Sequence, residues 1–249
     1  MSAPPRVYAT RAIVLRARNL GEADKIITLF SDARGKLDAV AKGVRRAHSP
    51  LAGRLEFAAE ASLTMHRGRN LDVITSADLV QRSFASLARP QTFATAGLFA
   101  ELVDAFCEPD LPLPDVYALL AGGLRVLAAT DDPATLVPRF ELRLLDALGL
   151  APPSGACVRC NLAFEADLAW ADLDAGGLAC AACRPHVADP LALLPDDLVA
   201  FRALGAARGG GRAASLRATP AAARAADAFV AYHLGRRPRA RGLIDELGA

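Results

Sequence analysis

Four cysteines constrain this chain more than any other feature: Cys157-Val158-Arg159-Cys160 and, after nineteen intervening residues, Cys180-Ala181-Ala182-Cys183. Each C-x2-C knuckle turns two thiolates toward one point. An insert of hairpin length brings the second pair round to complete a tetrahedron. Soft ligands in that array suit one structural Zn2+ per chain, closed to substrate. The competing reading is two disulfides, which belongs to an oxidising compartment. Met1 to Arg18 has no apolar core followed by a small-residue cleavage site, so no signal peptide is read. No apolar run reaches the ~18 residues of a membrane span. The chain therefore reads as cytoplasmic, with no membrane role. Cys107 lies on a helical stripe and reads as a core thiol. His186 is superfluous once four thiolates close the shell.

The elements before the cysteines change character once. Up to residue 80 the pattern is β: Ala12–Arg18, Lys25–Phe30, Lys36–Lys42, Ala61–His66 and Leu71–Thr75, separated by turn signals such as Asn19-Leu20-Gly21 and Arg67-Gly68-Arg69-Asn70. In the third strand Leu37 and either Ala39 or Val40 are the inward candidates. Five such strands fit a small closed barrel, with the OB-fold first and an SH3-like barrel as the alternative. After Gln81 the period becomes helical. Helices are expected over Pro90–Cys107, Pro114–Ala129, from Asp132-Pro133 to Gly149, Pro195–Leu204, Pro220–Leu234 and Arg241–Leu247. Pro138 should kink the third or delay its start. A Gly-rich loop, Arg208–Arg212, separates two of them. The expected class is α+β multidomain: an OB-fold DNA-binding domain at 1–80, a helical domain beginning at 81–155, a four-cysteine zinc insert at 156–188, and the rest of the helical domain at 189–249.

Charge is unevenly distributed behind a net +2. Residues 1–80 carry 13 basic and 8 acidic side chains, residues 81–175 carry 6 and 13, and residues 176–249 carry 10 and 6. The zinc insert is acidic, with Glu165, Asp167, Asp172 and Asp174 against Arg159 and Arg184, so it is not expected to grip phosphates. The barrel is the nucleic-acid candidate. Arg16, Arg18, Lys36, Lys42, Arg45, Arg46, Arg67 and Arg69 are the expected contacts, the last two in the fourth turn of the fold. The competing reading is an ordinary charged surface. Aromatics are scarce here (Tyr8, Phe30, Phe57). Phosphate electrostatics should therefore dominate over stacking, giving little sequence preference and tolerance of single- and double-stranded DNA. A secondary cluster, Arg236, Arg237, Arg239 and Arg241, either extends that track or complements a helix end.

No enzyme is expected. Phosphate-loop and dinucleotide motifs are absent, and the histidines are scattered. Glu101, Asp104 and Glu108 share a helical face and could hold a metal, as in a nuclease, but a solvated face is the commoner meaning of such a set. An OB-plus-zinc adaptor for RNA is the other alternative.

The ordered set of motifs resembles the RecO family of recombination mediators. The resemblance rests on Gly21 to Phe30 leading into Gly35-Lys36-Leu37 and Ala41 to Arg46, then on Arg67-Gly68-Arg69 and on Phe140 to Leu145 with Leu148-Gly149. It continues through the two cysteine pairs with Gly176-Gly177, and ends on His233 to Arg237. It covers nearly the whole chain. Departures are a slightly longer N-terminus, Asn161 where a Gly often follows the first knuckle, and Trp170-Ala171 at a step usually nearer Phe-Ser. The resemblance implies an OB-fold, a helical bundle and a zinc insert. It also implies DNA repair by recombination: annealing of strands and, with RecR, loading of RecA onto strands coated by the single-stranded-DNA-binding protein. It places the protein at the nucleoid. It further implies that the binding protein's acidic tail docks on the helical part, for which Arg125, Arg139 and Arg143 are the candidates.

Overall fold

A computed structural model describes residues 6–81, 88–164, 168–206 and 217–248. The Gly-rich stretch Arg208–Arg212, and Glu165 and Asp167 of the insert, lie outside the described residues. The chain forms two compact units, Met1–Asp131 with Arg239–Ala249, and Asp132–Pro238.

The first unit contains the barrel. Its strands are β1 (Val7–Leu20), β2 (Asp24–Ser31), β3 (Gly35–Ala41), β4 (Glu60–His66) and β5 (Asp72–Gln81). They close in the order β1-β2-β3-β5-β4, with β3 and β5 parallel and every other pair antiparallel. That order, with five strands, is the OB-fold rather than an SH3-like barrel. β1 is far longer than its β-branched centre suggests, because it serves two partners. Its first half pairs with β4 and its second with β2, and a bulge between Val14 and Arg16 turns the corner. Alternation sends Ile27, Leu29, Leu37, Ala39, Ala41, Leu63 and Met65 into the barrel core. In β3 the inward set is thus Leu37, Ala39 and Ala41; Val40 points the other way and is only half-buried.

Helices α1 (Pro90–Phe106), α2 (Pro114–Ala129) and α6 (Arg239–Gly248) complete this unit. α1 rests against β1 and receives α6, which the helical period alone would group with the helix before it. The physical reason is a cap: the Glu101 carboxylate accepts the backbone N–H groups of Arg239 (3.0 Å) and Ala240 (2.9 Å), donors that the first turn of α6 leaves unsatisfied.

The second unit packs α3 (Val137–Ala147), α4 (Pro195–Gly205) and α5 (Pro220–Leu234) against one another. Pro133 opens a 3-10 turn ending at Leu136, and the α-helix proper begins only at Val137, so Pro138 sits in its first turn, where a missing N–H costs nothing. Four of the other five helices follow a similar rule: Pro90, Pro114, Pro195 and Pro220 each occupy the first helical position. A three-stranded sheet in the order β7-β6-β8 joins the helices to the cysteines, with β6 at Ala169–Asp172, β7 at Gly177–Ala179 and β8 at Leu191–Leu193. β8 packs on α4 and α5.

Candidate metal centre and nucleic-acid interface

The two cysteine pairs converge. One sulfur from each of Cys157, Cys160, Cys180 and Cys183 lies within 4.8 Å of all the others, and the Cys160 and Cys180 sulfurs are 3.6 Å apart. A tetrahedral zinc with Zn–S bonds of about 2.3 Å would set its sulfurs ~3.8 Å apart, so the spacing fits. The knuckles are shaped by the backbone. The Cys180 N–H points at the Cys157 sulfur (3.4 Å), and Asn161 closes the first knuckle by donating its N–H to the Cys157 carbonyl (2.8 Å) with φ at +62°. That left-handed conformation is why Gly suits this position and why Asn substitutes for it. Gly177 has another reason: a Cβ there would lie 2.3 Å from the Val158 side chain, so the hairpin can lie against the knuckle only without one. Val158 donates its N–H to Leu178 (2.9 Å), and Arg159 forks onto the buried carboxylate of Asp172 on β6. Burial alone would raise the Cys157 thiol, yet amide donors from Cys160, Cys180 and Arg159 bring it down to about 6. Burial and the neighbouring thiols push Cys183 up to about 12. A cation held by all four sulfurs would offset the repulsion between thiolates this close together.

The alternative carboxylate set does not assemble. Glu101 caps α6, Asp104 binds Arg16 and Lys36, and Glu108 is exposed. Among the described residues the cysteine quartet is the cluster with metal-binding geometry.

The expected nucleic-acid contacts separate into two groups. Arg18, Lys42, Arg45, Arg46, Arg67 and Arg69 are exposed and form no ion pair among the described residues. Arg18 lies near the end of β1, and the other five sit on loops of the barrel. The 42–46 turn is pinned to the β1–β2 loop, because Arg45 donates to the carbonyls of Ala23 (backbone N–H, 2.9 Å) and Gly21 (side chain, 3.0 Å), and Gly43 N–H reaches Asp24 (2.7 Å). Arg67 and Arg69 rise from the β4–β5 loop, and the Arg67 guanidinium lies 5.1 Å from the Tyr8 ring centre. Arg16 and Lys36 behave differently. Both bind Asp104, at 2.8 and 3.4 Å.

Sequence reasoning missed Arg34 as an organiser. It binds Asp72 at 2.7 Å, the Tyr8 hydroxyl at 2.7 Å, and Asp110. Burial would raise the Asp72 carboxyl, but hydrogen bonds from Tyr8, the Gly68 amide and Arg34 hold it below the usual carboxylate range. No local pattern announces these pairs, whose members lie 26 to 76 residues apart. The barrel aromatics offer little for stacking: Phe30 is wholly buried, Phe57 meets Phe93 edge-on, and Tyr8 is engaged by two arginines.

The C-terminal arginines divide between the two units. Arg236 and Arg237 belong to the second unit, Arg237 lying 3.8 Å from Asp227; Arg239 and Arg241 belong to the first, and the Arg241 side chain is only 12% exposed beside Asp245. The three tail-docking candidates divide between the units as well. Arg125 is exposed on α2, while Arg139 and Arg143 lie one turn apart on α3. Burial first, and then the charge of Arg143, makes the Arg139 guanidinium easier to deprotonate than usual. No helix among the described residues is long and apolar enough to cross a membrane.

The chain matches the family description "Recombination protein O N terminal" over residues 5–83 and "Recombination protein O C terminal" over residues 88–242. It is 37% identical to the DNA repair protein RecO of a Nocardioides species over 239 residues, which is 92% of this chain and 96% of that protein. It is 38% identical to the DNA repair protein RecO of Heliobacterium modesticaldum over 205 residues, 80% of this chain and 74% of that one. The corresponding protein of Bifidobacterium adolescentis is 37% identical over 184 residues, 71% of this chain and 73% of its own length.

Proposed function

Because the chain belongs to the RecO family, we propose that it is a recombination mediator of DNA repair, a DNA-binding protein without turnover of its own. The observation that carries this reading is the unpaired cationic rim of the OB-fold: Lys42, Arg45 and Arg46 on one loop, and Arg67 and Arg69 on another. Phosphates are read there as charge, with no base edge or open aromatic face to impose sequence. Single and duplex strands are therefore both accepted. A cationic surface also lowers the repulsion between two complementary strands held on it, which is what annealing requires.

The cysteine quartet holds one structural Zn2+, fastening the β6–β7 hairpin and both knuckles into one body. All four ligand positions are taken by thiolates, so the ion has no open position for substrate. It sits in an acidic module, away from the proposed phosphate contacts in sequence and charge.

RecR, RecA and the single-stranded-DNA-binding protein are the proposed partners, and the cytoplasmic nucleoid the proposed place of action. For the acidic tail of the binding protein, Arg139 and Arg143 are the better pair. They are half-buried neighbours of like charge, and the Arg143 Nε has no hydrogen-bond partner among the described residues. An incoming carboxylate would relieve both conditions.

The deciding experiment is annealing of complementary strands coated with single-stranded-DNA-binding protein, with and without this chain. Acceleration that needs Arg45 and Arg46 is the expected result. Annealing at the uncatalysed rate overturns the proposal.

A further inference from the structure

We infer that the β2–β3 face of the barrel is a second, masked phosphate surface, held out of use by Asp104 and Asp110 of the same chain. The inference rests on the DNA-binding reading above and extends it to a face that the rim does not include. In an OB-fold the face of strands 2 and 3, beside the β4–β5 loop, is where oligonucleotides lie. Here that face is a cleft of about 340 Å³ into which Arg16, Arg34 and Lys36 all project. Each is already bound to a carboxylate from the segment that follows the middle of α1: Asp104 takes Arg16 (2.8 Å) and Lys36 (3.4 Å), and Asp110 takes Arg34.

The masking segment is fastened to the barrel by its backbone as well as its charges. The Asp110 N–H bonds the Lys36 carbonyl at 2.8 Å, and Pro109 makes a parallel bridge with Lys36. Gly35 makes this possible. Its φ is +68°, and a Cβ there would stand 1.8 Å from the Leu111 carbonyl oxygen. Any side chain would push the segment off the strand.

A carboxylate on a guanidinium occupies the position and geometry of a phosphate. The mask is also weak enough to be displaced. Asp110 is 61% exposed, and exposed pairs contribute little individually. Asp72 differs: only 14% exposed and held by Tyr8 and the Gly68 amide, it belongs to the scaffold of the face.

The test is a salt titration of fluorescent-oligonucleotide binding by the full-length chain carrying Asp104→Asn and Asp110→Asn. Arg16 and Lys36, freed while Arg34 stays on Asp72, should bind the strand several-fold tighter and raise the slope of log affinity against log salt by roughly 1 to 1.5 units on single strands. Adding Arg16→Gln and Lys36→Gln to that variant should remove the gain, which a general change in charge would not. Asp110→Asn alone, at an exposed position, guards against misfolding; Arg34 keeps its Asp72 partner there, so affinity should rise slightly and the slope by well under ~0.7. Wild type that binds DNA, with both Asn variants folded and unchanged in slope and affinity, overturns the mask and leaves the DNA-binding reading standing. Failure of wild type and variants alike to bind DNA overturns both.

Discussion

The barrel and the cysteine module are both small β structures, and they solve the problem of size in opposite ways. The barrel closes on itself, leaves no strand edge, and encloses a continuous cluster of aliphatic side chains running from Ala12 to Ala77. The module has three strands of three or four residues in an open sheet. Its loops must turn through left-handed Asn161 and Gly176, and the buried carboxylate of Asp172 needs Arg159 beside it. Burial can hold the first; the second has little to bury, and its four convergent thiols are placed to supply a metal cross-link instead. The contrast shows how one chain can carry a binding platform rigid by packing and a module rigid by coordination, each vulnerable to a different insult.

Removing the metal should divide the two most sharply. Trp170, the single tryptophan, is buried on β6 within the module. Cys157→Ser, or strong chelation, should therefore red-shift its emission and expose the remaining thiols, with the barrel's β circular dichroism retained; apparent zinc affinities in small zinc folds reach about 10–16 kcal/mol. An unshifted spectrum in metal-free protein would mean that packing alone holds the module. Next in size is the barrel core. Leu29→Ala empties a fully buried position and should cost about 2–5 kcal/mol in denaturant unfolding, with zinc content unchanged. On the barrel surface, Arg45→Ala with Arg46→Ala should leave stability intact and lower the salt slope of DNA binding by roughly 1 to 2 units, equally for all sequences. Equal slopes would make this loop an ordinary solvated surface. The smallest effect expected is from Glu101→Gln, which weakens the cap of α6 by about 1 kcal/mol; hydrogen exchange at Arg239 and Ala240 would register it, while Trp170 emission stays unchanged.

What could be read from the sequence follows the range of the interactions. The metal set was legible because C-x2-C spacing is a local geometric statement. Helix starts were legible because Pro at the first turn is a local backbone statement, and Asp132-Pro133 with Pro138 anticipated even the late start of α3. The barrel was legible as five strands. The full reach of β1 was not, since Val7 meets His66 across a stretch with no marked alternation. Least legible were the charges. Arg16 and Lys36 look like Arg45 and Arg46 in any window of sequence. Only folding reveals that Asp104, 88 residues beyond Arg16, comes to rest on the first two and not on the others.

The route of the chain through its two units has a further consequence. The backbone leaves the first unit after Asp131 and re-enters it at Arg239, so the second unit is topologically an insertion of 107 residues between two fixed points. For docking of α6 on α1, that insertion is a tether. Its ends must be brought together by the folded body of the insert, or else by a flexible chain at an entropy cost of about 4 kcal/mol from the (3/2)RT ln n scaling. Coordination of a metal ion by the cysteine quartet would thus become, through chain connectivity alone, a contribution to the seating of a helix in the other unit.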